Sequence, residues 1–333
     1  DKYEVTEILC IYTPHTVESF IFIKTLEICG VSVRRLSTSP LPWLVYCLNG
    51  LENISVNQFR KVRTLDKDRA NSRVETFFNH LNSSYKDVIP WYERKKKTNF
   101  RTLLRSNPLF NIKKFVKWVL KQRTRKEIYR YASDISTESR YGVYFLHVQP
   151  EANTMPEAGI YYDQFQLIKK LSDAMPSDIT LLVKEHPSTF RDFDTRYRPK
   201  RFYERLSEIR NVKICPIDSS TFSLIDNSKF VASISGMCMS EALARSIPVI
   251  SFNPVRFNNF PTNAVIDCYS ASIASLSEQL NVFVDDTYTF PENEVFLSFV
   301  DLEAFGYISA LDENVIPNSR IHQLNMSLNA ARK

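Results

Sequence analysis

Apolar and polar residues follow two different patterns along the chain. Near the beginning, residues 4–12 and 31–36 have the apolar character of strands, and residues 16–29 between them carry apolar positions at helical spacing. This pattern predicts a β-α-β unit. Residues 43–48 predict a third short strand, and residues 56–85 predict a helical region.

After Gly142 the alternation of strands and helices becomes regular. Short continuous apolar runs predict strands that are buried on both faces of a parallel sheet. These runs are 143–148, 179–184, 212–215, 230–234 and 248–252. The segments with helical patterns are 160–174, 200–209, 219–227, 240–245, 271–282, 293–304 and 318–330. The sequence therefore predicts an α/β fold with a doubly wound sheet.

The length of 333 residues suggests two domains of ordinary size. We predict an N-terminal α/β domain over residues 1–140 and a Rossmann-like domain over residues 141–270. Residues 271–333 are expected to form helices that fold back over one or both domains.

One segment of the chain is strongly basic. Residues 92–130 contain 14 Lys and Arg against 2 Glu, a net charge of +12, while the whole chain carries only +6. From Asn111 to Tyr131 the basic residues alternate with apolar ones, which predicts an amphipathic basic helix. Such a helix could be a solvated helix packed on its own domain, or it could bind an anionic membrane surface. Binding to nucleic acid is the third interpretation.

Composition excludes several classes of protein. The chain has only 6 glycines and no glycine-rich tract, so neither a Walker loop nor a GxGxxG dinucleotide fingerprint is present. Its 6 cysteines form no CxxC pair, which favours reduced thiols in a reducing compartment over a disulfide framework or a zinc site. The sequence shows no signal peptide and no long apolar run, so we expect a cytoplasmic protein without a membrane-spanning helix.

Polar residues follow the first two long strands of the regular region. Gln149 and Glu151 come after the 143–148 run, and Pro150 between them restricts the backbone. A carboxylate at a strand end is a candidate general acid or base, although it can equally be a turn residue. Lys184 is the last residue of the 179–184 run and His186 follows it, where the histidine could donate to a phosphate oxygen or simply occupy a turn.

A third strand end leads directly into a helix. Ser235 and Gly236 follow the 230–234 run, and Ser240 and Glu241 come shortly after them. Unpaired N–H groups at a helix start, together with hydroxyls, can bind an anion, and Glu241 could accept from ribose hydroxyls. A helix capped for stability alone explains the same residues. Because parallel strands end at one edge of a sheet, we expect the three strand ends to lie close together.

Two stretches of the chain carry a family resemblance. LHVQPEANTMPEAGIYYDQFQLIKKLSDAMPSDITLLVKEHP, with its QPE and HP motifs, resembles the bacterial capsule and surface-polysaccharide β-Kdo transferases. SISGMCMSEALARSIPVISF resembles the nucleotide-binding part of that family and of GT-B glycosyltransferases in general. The resemblance covers about residues 140–255 and is weak over the first 130 residues.

The resemblance implies a fold, a donor and a stereochemical course. It implies a GT-B arrangement of two Rossmann-like domains facing across a cleft. The donor would be a CMP-activated 2-keto-3-deoxy sugar acid, usually CMP-Kdo, transferred with retention to a capsule or surface-glycan acceptor. The N-terminal domain would face that acceptor. CMP-sugars carry one phosphate in the leaving group rather than a diphosphate, so the resemblance implies a transferase that needs no metal and no cofactor.

The resemblance also implies roles for single residues. Glu151 would be the general acid/base and His186 the ligand of the CMP phosphate. The other residues that would hold the donor are Gln149, Lys184, Ser235, Gly236, Ser240 and Glu241. Retention by double displacement needs a carboxylate nucleophile, for which Asp218 is the candidate and Asp226 the alternative.

Two other functions stay open at this point. An inverting, CMP-sialyltransferase-like enzyme also uses an HP motif, and a protein of a capsule assembly complex could keep the fold without the activity. The sequence does not choose between Kdo and pseudaminic, legionaminic or sialic acid. With a lipid-linked acceptor, the basic segment 92–130 would hold the enzyme at the inner face of the inner membrane, and no nucleic-acid partner is expected.

Overall fold

The computed structural model describes most of the chain outside residues 84–121 and 306–333. The described residues are 5–11, 13–14, 16–51, 66–83, 122–135, 140–149, 154, 157–186, 189, 198–253, 256–257 and 260–305.

The N-terminal part contains a three-stranded sheet in the order β1-β2-β3. Its elements are β1 (Glu7–Cys10), α1 (Val17–Ile28), β2 (Ser32–Thr38) and β3 (Val45–Asn49). β1 and β2 are parallel and joined by α1, so the predicted β-α-β unit is confirmed, whereas β3 pairs with β2 in the antiparallel direction. The Thr16 side chain accepts from Ser19 N–H and caps the start of α1.

The second sheet has six parallel strands in the order β6-β5-β4-β7-β8-β9. Its strands are β4 (Tyr141–Phe145), β5 (Thr180–Lys184), β6 (Val212–Ile214), β7 (Val231–Ser233), β8 (Val249–Ser251) and β9 (Val265–Asp267). This is the doubly wound order, in which the chain starts at the centre and builds outward in both directions. The predicted α/β class is confirmed. β9 was not predicted from the sequence.

Helices cover both faces of this sheet. They are α2 (Lys67–Asn82), α3 (residues 122–131), α4 (Gln164–Ala174), α5 (Phe202–Ser207), α6 (Thr221–Asp226), α7 (Met237–Ala244), α8 (Ile273–Val284) and α9 (Glu292–Phe305). The predicted helix 160–174 is divided into a 3₁₀ helix (Gly159–Tyr162) and α4. Asp163 separates them because its extended backbone lets its side chain accept from Phe165 N–H and cap α4.

Alternate strand residues form two separate cores. Tyr141 and Val143 point to the face that is covered by α2, α6, α7 and α9, and Tyr144 points to the face that is covered by α4, α5 and α8. Helix α3 packs on the second face through Ile128, and Ala132 forms a parallel bridge to Ile214 at the end of β6. These contacts attach α2 and α3 to the second sheet, although both come from the predicted N-terminal domain. The domain boundaries themselves stay a prediction.

Buried polar contacts connect the first sheet to the second sheet's loops and helices. Glu157, on the connection between β4 and α4, accepts through Oε1 from the Thr13 and Ser37 hydroxyls and lies 3.5 Å from an Arg35 nitrogen. Burial lowers the pKa of Arg35, and the Glu157 charge opposes that change. Further along, Trp43 donates to Glu303 of α9. Within the described residues, no helix is long and apolar enough to cross a bilayer.

The packing around Gly142 gives a test of the central strand. A Cβ on Gly142 would collide with the ring of Phe230, which is fully buried. We therefore expect Gly142→Ala to lower the free energy of unfolding by about 1–3 kcal/mol, the usual cost of overpacking. Phe230→Leu should remove the collision, so the double variant should be more stable than the sum of the two single changes predicts. Urea denaturation of the four proteins measures this. Strictly additive effects would contradict the packing described here.

Candidate functional site

The loops after β4 and β7 lie side by side at the centre of the sheet. The two strands are hydrogen-bonded neighbours, but α4 and α7, which follow them, pack on opposite faces. The two loops therefore diverge at the carboxyl edge, and this is the usual ligand position in a doubly wound sheet. Residues 146–149 and 234–236 line this point, so the structure brings two of the three predicted strand ends together.

His147 connects these two loops, and the sequence analysis did not single it out. Its Nε2 lies 3.2 Å from the Ser235 backbone nitrogen and 3.0 Å from the Ser233 hydroxyl. Because a backbone N–H can only donate, Nε2 must be the acceptor in the first contact, and the imidazole proton must reside on Nδ1. His147 is 6% exposed, so this contact is shielded from water.

The surroundings of His147 keep its ring neutral. Burial is the main cause that lowers its pKa, and the positive charges of His186, Arg256 and Arg198 lower it further, to about 3. At neutral pH the ring is therefore uncharged, as the contact with Ser235 N–H requires.

The backbone of His147 is held from two sides. Gln164, the first residue of α4, accepts from His147 N–H at 2.8 Å and donates to the His147 carbonyl at 3.1 Å. Arg198 donates to the same carbonyl at 2.7 Å. The imidazole is thus presented from a fixed piece of backbone.

A buried ion pair between Glu185 and Arg198 organises the loop after β5. Arg198 Nε and one terminal nitrogen donate to the two carboxylate oxygens at 2.7 and 2.6 Å. Tyr203, Thr189 and the backbone N–H of His186 also donate to this carboxylate. Burial alone would raise the pKa of Glu185, but Arg198 and these donors hold it below its usual value. The carboxylate therefore remains charged, and its charge is fully paired.

The same arginine reaches the first predicted residue, Gln149. Arg198 donates to Gln149 Oε1 at 3.2 Å, while Gln149 Nε2 donates to the Tyr162 carbonyl in the 3₁₀ helix. Gln149 therefore braces the β4–α4 connection. Glu151, the predicted acid/base, lies outside the described residues, so its role stays a prediction.

Lys184 and His186 lie on either side of Glu185. Lys184 is buried and donates at 2.8 Å to the Ile217 carbonyl, in the turn after β6. His186 is partly exposed at the carboxyl edge, and its N–H is fixed by the Glu185 carboxylate. The structure thus places the predicted phosphate ligand at the predicted edge, with its backbone anchored.

Ser235 and Gly236 form the entry to α7. Ser235 is 3% exposed, and within the described part of the chain its hydroxyl has no hydrogen-bond partner. Gly236 is the N-cap residue of α7, where no side chain caps the helix. A Cβ on Gly236 would lie 2.8 Å from Cys238 Sγ and 3.1 Å from Ser233 Oγ, so this turn has no room for a larger residue.

The other predicted residues lie in different surroundings. Ser240 is fully buried and donates to the Pro40 carbonyl at 3.0 Å, so its hydroxyl binds the N-terminal part of the chain. Glu241 is partly exposed on α7. Asp218 is exposed in the turn after β6, at the carboxyl edge. Asp226 ends α6, at the opposite edge, where it pairs with Arg245 at 2.7 Å. Because Asp218 lies at the carboxyl edge and Asp226 does not, Asp218 remains the better candidate for the nucleophile.

Three residues of the site, His147, Glu185 and Arg198, were not predicted from the sequence, although two of them stand next to predicted features. His147 belongs to the apolar run 143–148, which the pattern assigns entirely to a strand, but β4 ends at Phe145 and leaves the histidine in the loop. Glu185 stands between two residues that the analysis did select. Arg198 is 13 positions further along, and no local pattern connects it to Glu185.

Comparisons with known proteins find distant structural similarity only. No protein-family model matches the chain, and no curated protein matches it in sequence. Among solved structures, the chain is similar to the KpsC β-Kdo 2,7 transferase of Thermosulfurimonas dismutans, at 13% identity and a TM-score of 0.39, over 98% of this chain and 85% of that one.

Two further structures illustrate the range of this similarity. The KpsC β-Kdo 2,4 transferase of the same organism is 10% identical, with a TM-score of 0.28, over 82% of this chain and 78% of that one. The UDP-GlcNAc 2-epimerase of Methanocaldococcus jannaschii is 16% identical, with a TM-score of 0.34, over 56% of this chain and 50% of that one. At such values the similarity assigns no activity to this chain.

The neutral state of His147 makes stability depend on pH. Its pKa is about 3 in the folded protein against an ordinary 6.5, so between these values the unfolded chain binds a proton that the folded protein does not. Stability must therefore fall as the pH falls below 6.5. We expect this residue to account for a loss of about 2 kcal/mol between pH 7.5 and pH 5.

Comparison with a variant isolates this contribution. His147→Gln keeps an acceptor in the same place but does not titrate, so its free energy of unfolding should fall by about 2 kcal/mol less over this range. Urea denaturation at the two pH values measures the difference. Equal losses in the two proteins would show that His147 does not stay neutral in the folded state.

Proposed function

We propose that this protein is a glycosyltransferase that moves a 2-keto-3-deoxy sugar acid from its CMP-activated form to a capsule or surface-glycan acceptor, with retention of configuration. The observation that carries the proposal is the buried, unpartnered hydroxyl of Ser235 at the uncapped start of α7. It lies at the centre of the carboxyl edge of a doubly wound sheet. The QPE and HP motifs in the sequence supply the choice of donor.

An unpartnered polar group in a buried position costs free energy unless a ligand satisfies it. Ser235 Oγ is such a group. The N–H groups of Met237 and Cys238 lack intrahelical acceptors as well, because they precede the first hydrogen bond of α7, from Met239 N–H to the Gly236 carbonyl. A hydroxyl next to a helix start offers converging donors and a positive dipole end to an anion. A phosphate oxygen is the ligand that best matches these donors.

The number of cationic groups at the edge fits a single phosphate. Among the described residues, the cationic groups near His147 are His186, Arg198 and Arg256. His186 is partly exposed, the charge of Arg198 is already paired with Glu185, and Arg256 is buried and donates to the Ser235 carbonyl. CMP-activated sugars carry one phosphate in the leaving group, whereas nucleoside-diphosphate sugars carry two. One histidine and one helix start are therefore a better match for a CMP donor. Metal independence stays part of this proposal.

The proposed reaction proceeds by two displacements at C2 of the sugar acid. A carboxylate attacks C2, the bond from C2 to the phosphate oxygen breaks, and CMP leaves with the electron pair. The acceptor hydroxyl then attacks C2 on the side opposite to the nucleophile and gives its proton to the acid/base carboxylate. The bond from C2 to the nucleophile breaks, and the nucleophilic carboxylate is set free. We assign the acid/base role to Glu151 and the nucleophile role to Asp218, whose exposed position after β6 is compatible with it.

The proposed acceptor determines the expected location of the enzyme. A lipid-linked acceptor would place it at the inner face of the inner membrane, where the basic segment 92–130 would meet anionic headgroups. Residues 92–121 of this segment lie outside the described residues, so the membrane role stays a prediction. Co-sedimentation with anionic and neutral vesicles tests it, and equal binding to both would contradict it.

Ser235→Ala should separate ligand binding from stability. A hydrogen bond to a charged ligand contributes about 1.5–3 kcal/mol, so the affinity for CMP should fall roughly ten- to hundredfold. Because the hydroxyl has no partner among the residues that the structure describes, its removal should leave the free energy of unfolding unchanged or slightly higher. Calorimetric titration with CMP and urea denaturation give the two quantities.

Ser228→Ala is the matched control for this experiment. Ser228 is also a buried serine, but it lies before β7 at the opposite edge of the sheet, and its hydroxyl donates to the Ile225 carbonyl at 2.8 Å. Its removal should lower stability by about 1 kcal/mol and leave CMP affinity unchanged. If Ser235→Ala binds CMP as tightly as the wild type does, the phosphate site is wrong.

A panel of donors tests the activity itself. CMP-Kdo and CMP-sialic, CMP-pseudaminic and CMP-legionaminic acid are each incubated with the enzyme, and CMP release is measured with and without acceptor. We expect release from one of these donors, and Glu151→Gln should abolish most transfer while CMP still binds, because this carboxylate acts on the reacting centre. CMP binding without release from any donor would indicate a non-catalytic protein, and an inverted anomer by NMR would indicate the inverting class.

A further inference from the structure

One imidazole connects the two loops that diverge at the centre of the sheet. Through its backbone, His147 belongs to the loop after β4, where Gln164 and Arg198 fix it. Through Nε2, it contacts Ser235 N–H and the Ser233 hydroxyl in the loop after β7. The His147 ring thus connects the fixed backbone after β4 to the β7–α7 turn.

The contact with Ser235 determines where the unpartnered hydroxyl lies. Within the described residues, the Ser235 N–H has His147 Nε2 as its acceptor, and the Ser235 carbonyl accepts from Arg256. Both polar groups of the Ser235 backbone are therefore held, while its side chain is not. Fixing the backbone fixes the position of the Ser235 Cβ, so the hydroxyl can move only by rotation about χ1.

Only one form of the ring permits this arrangement. The Nδ1-protonated neutral ring leaves a lone pair on Nε2, whereas the other neutral form and the cation would direct an N–H at the N–H of Ser235. The charged and titratable groups that face the ring are His186 after β5, Arg256 after β8 and Arg198 before α5, and all three disfavour the cation. The ring therefore serves as an acceptor and adds no charge.

We propose that His147, in its Nδ1-protonated neutral form, is a positioning residue of the nucleotide site that holds the Ser235 turn and the start of α7 in place for the donor phosphate. This inference rests on the proposed function for the identity of the ligand. The loop-holding part rests on the geometry alone.

The tautomer of His147 is measured on the wild-type protein without ligand. Long-range ¹H–¹⁵N correlation spectra distinguish the two neutral forms and the cation, and the chain has 5 histidines, so the His147 signals are assigned by their loss in His147→Gln. We expect the Nδ1-protonated form throughout pH 6–8, well above the pKa of about 3. An Nε2-protonated ring or a cation in this range would overturn the proposal.

Two substitutions separate the acceptor from the volume of the ring. His147→Gln keeps an oxygen near the position of Nε2, while His147→Phe fills the space without an acceptor. Amide hydrogen exchange, measured by mass spectrometry on peptides containing Ser235, should be slow in the wild type and in the Gln variant and fast in the Phe variant. Equal exchange in all three proteins would overturn the loop-holding role.

The CMP affinities of the same proteins test the link to the ligand. Misplacing the turn should cost the Phe variant roughly tenfold to a hundredfold in affinity, and the Gln variant should stay close to the wild type. Wild-type affinity in a folded Phe variant would overturn the positioning role. If the Phe variant does not fold, the proposal is tested by the tautomer of the wild-type ring and by the hydrogen exchange and CMP affinity of the Gln variant. A wild type that does not bind CMP would instead overturn the proposed function, while tautomer and exchange would still decide the loop-holding role.

Discussion

The geometry of the candidate site depends on one buried ion pair, between Glu185 and Arg198. Taking two charges out of water is costly, and the cost is recovered only when the geometry is good and the remaining polar atoms are satisfied. Here the carboxylate receives bonds from Arg198, Tyr203, Thr189 and a backbone N–H. Such a pair tolerates little displacement, because a shift would leave a charge buried without its partner.

Arg198 extends this rigidity to the centre of the sheet. The terminal nitrogen that binds Glu185 also donates to the His147 carbonyl, the other terminal nitrogen donates to the Gln149 side chain, and His147 in turn holds the Ser235 turn. The loops after β4, β5 and β7 are thereby connected through side chains, although they belong to separate parts of the chain. Among the hydroxyls of this network, that of Ser235 is the one left without a protein partner in the described residues. The network therefore positions one unsatisfied group at the place where a doubly wound sheet binds its ligand.

Sequence patterns predicted the parts of the molecule that local periodicity controls. The continuous apolar runs predicted five of the six strands of the second sheet, and the parallel arrangement placed their following residues at one edge. They failed where structure depends on contacts between distant residues. β9 is a strand only because it pairs with β8, and Asp163 divides a helical pattern in two by capping α4. The tautomer of His147 follows from a backbone N–H 88 residues away, which no local pattern contains.

The central claim is that the Ser235 turn and the start of α7 bind the phosphate of a cytidine monophosphate. A crystal structure of the protein with CMP tests this most directly. We expect a phosphate oxygen within hydrogen-bond distance of Ser235 Oγ and of the first N–H groups of α7, with His147 still in contact with Ser235 N–H. CMP bound elsewhere, or bound with its phosphate away from Ser235, would show that this turn is not the phosphate site.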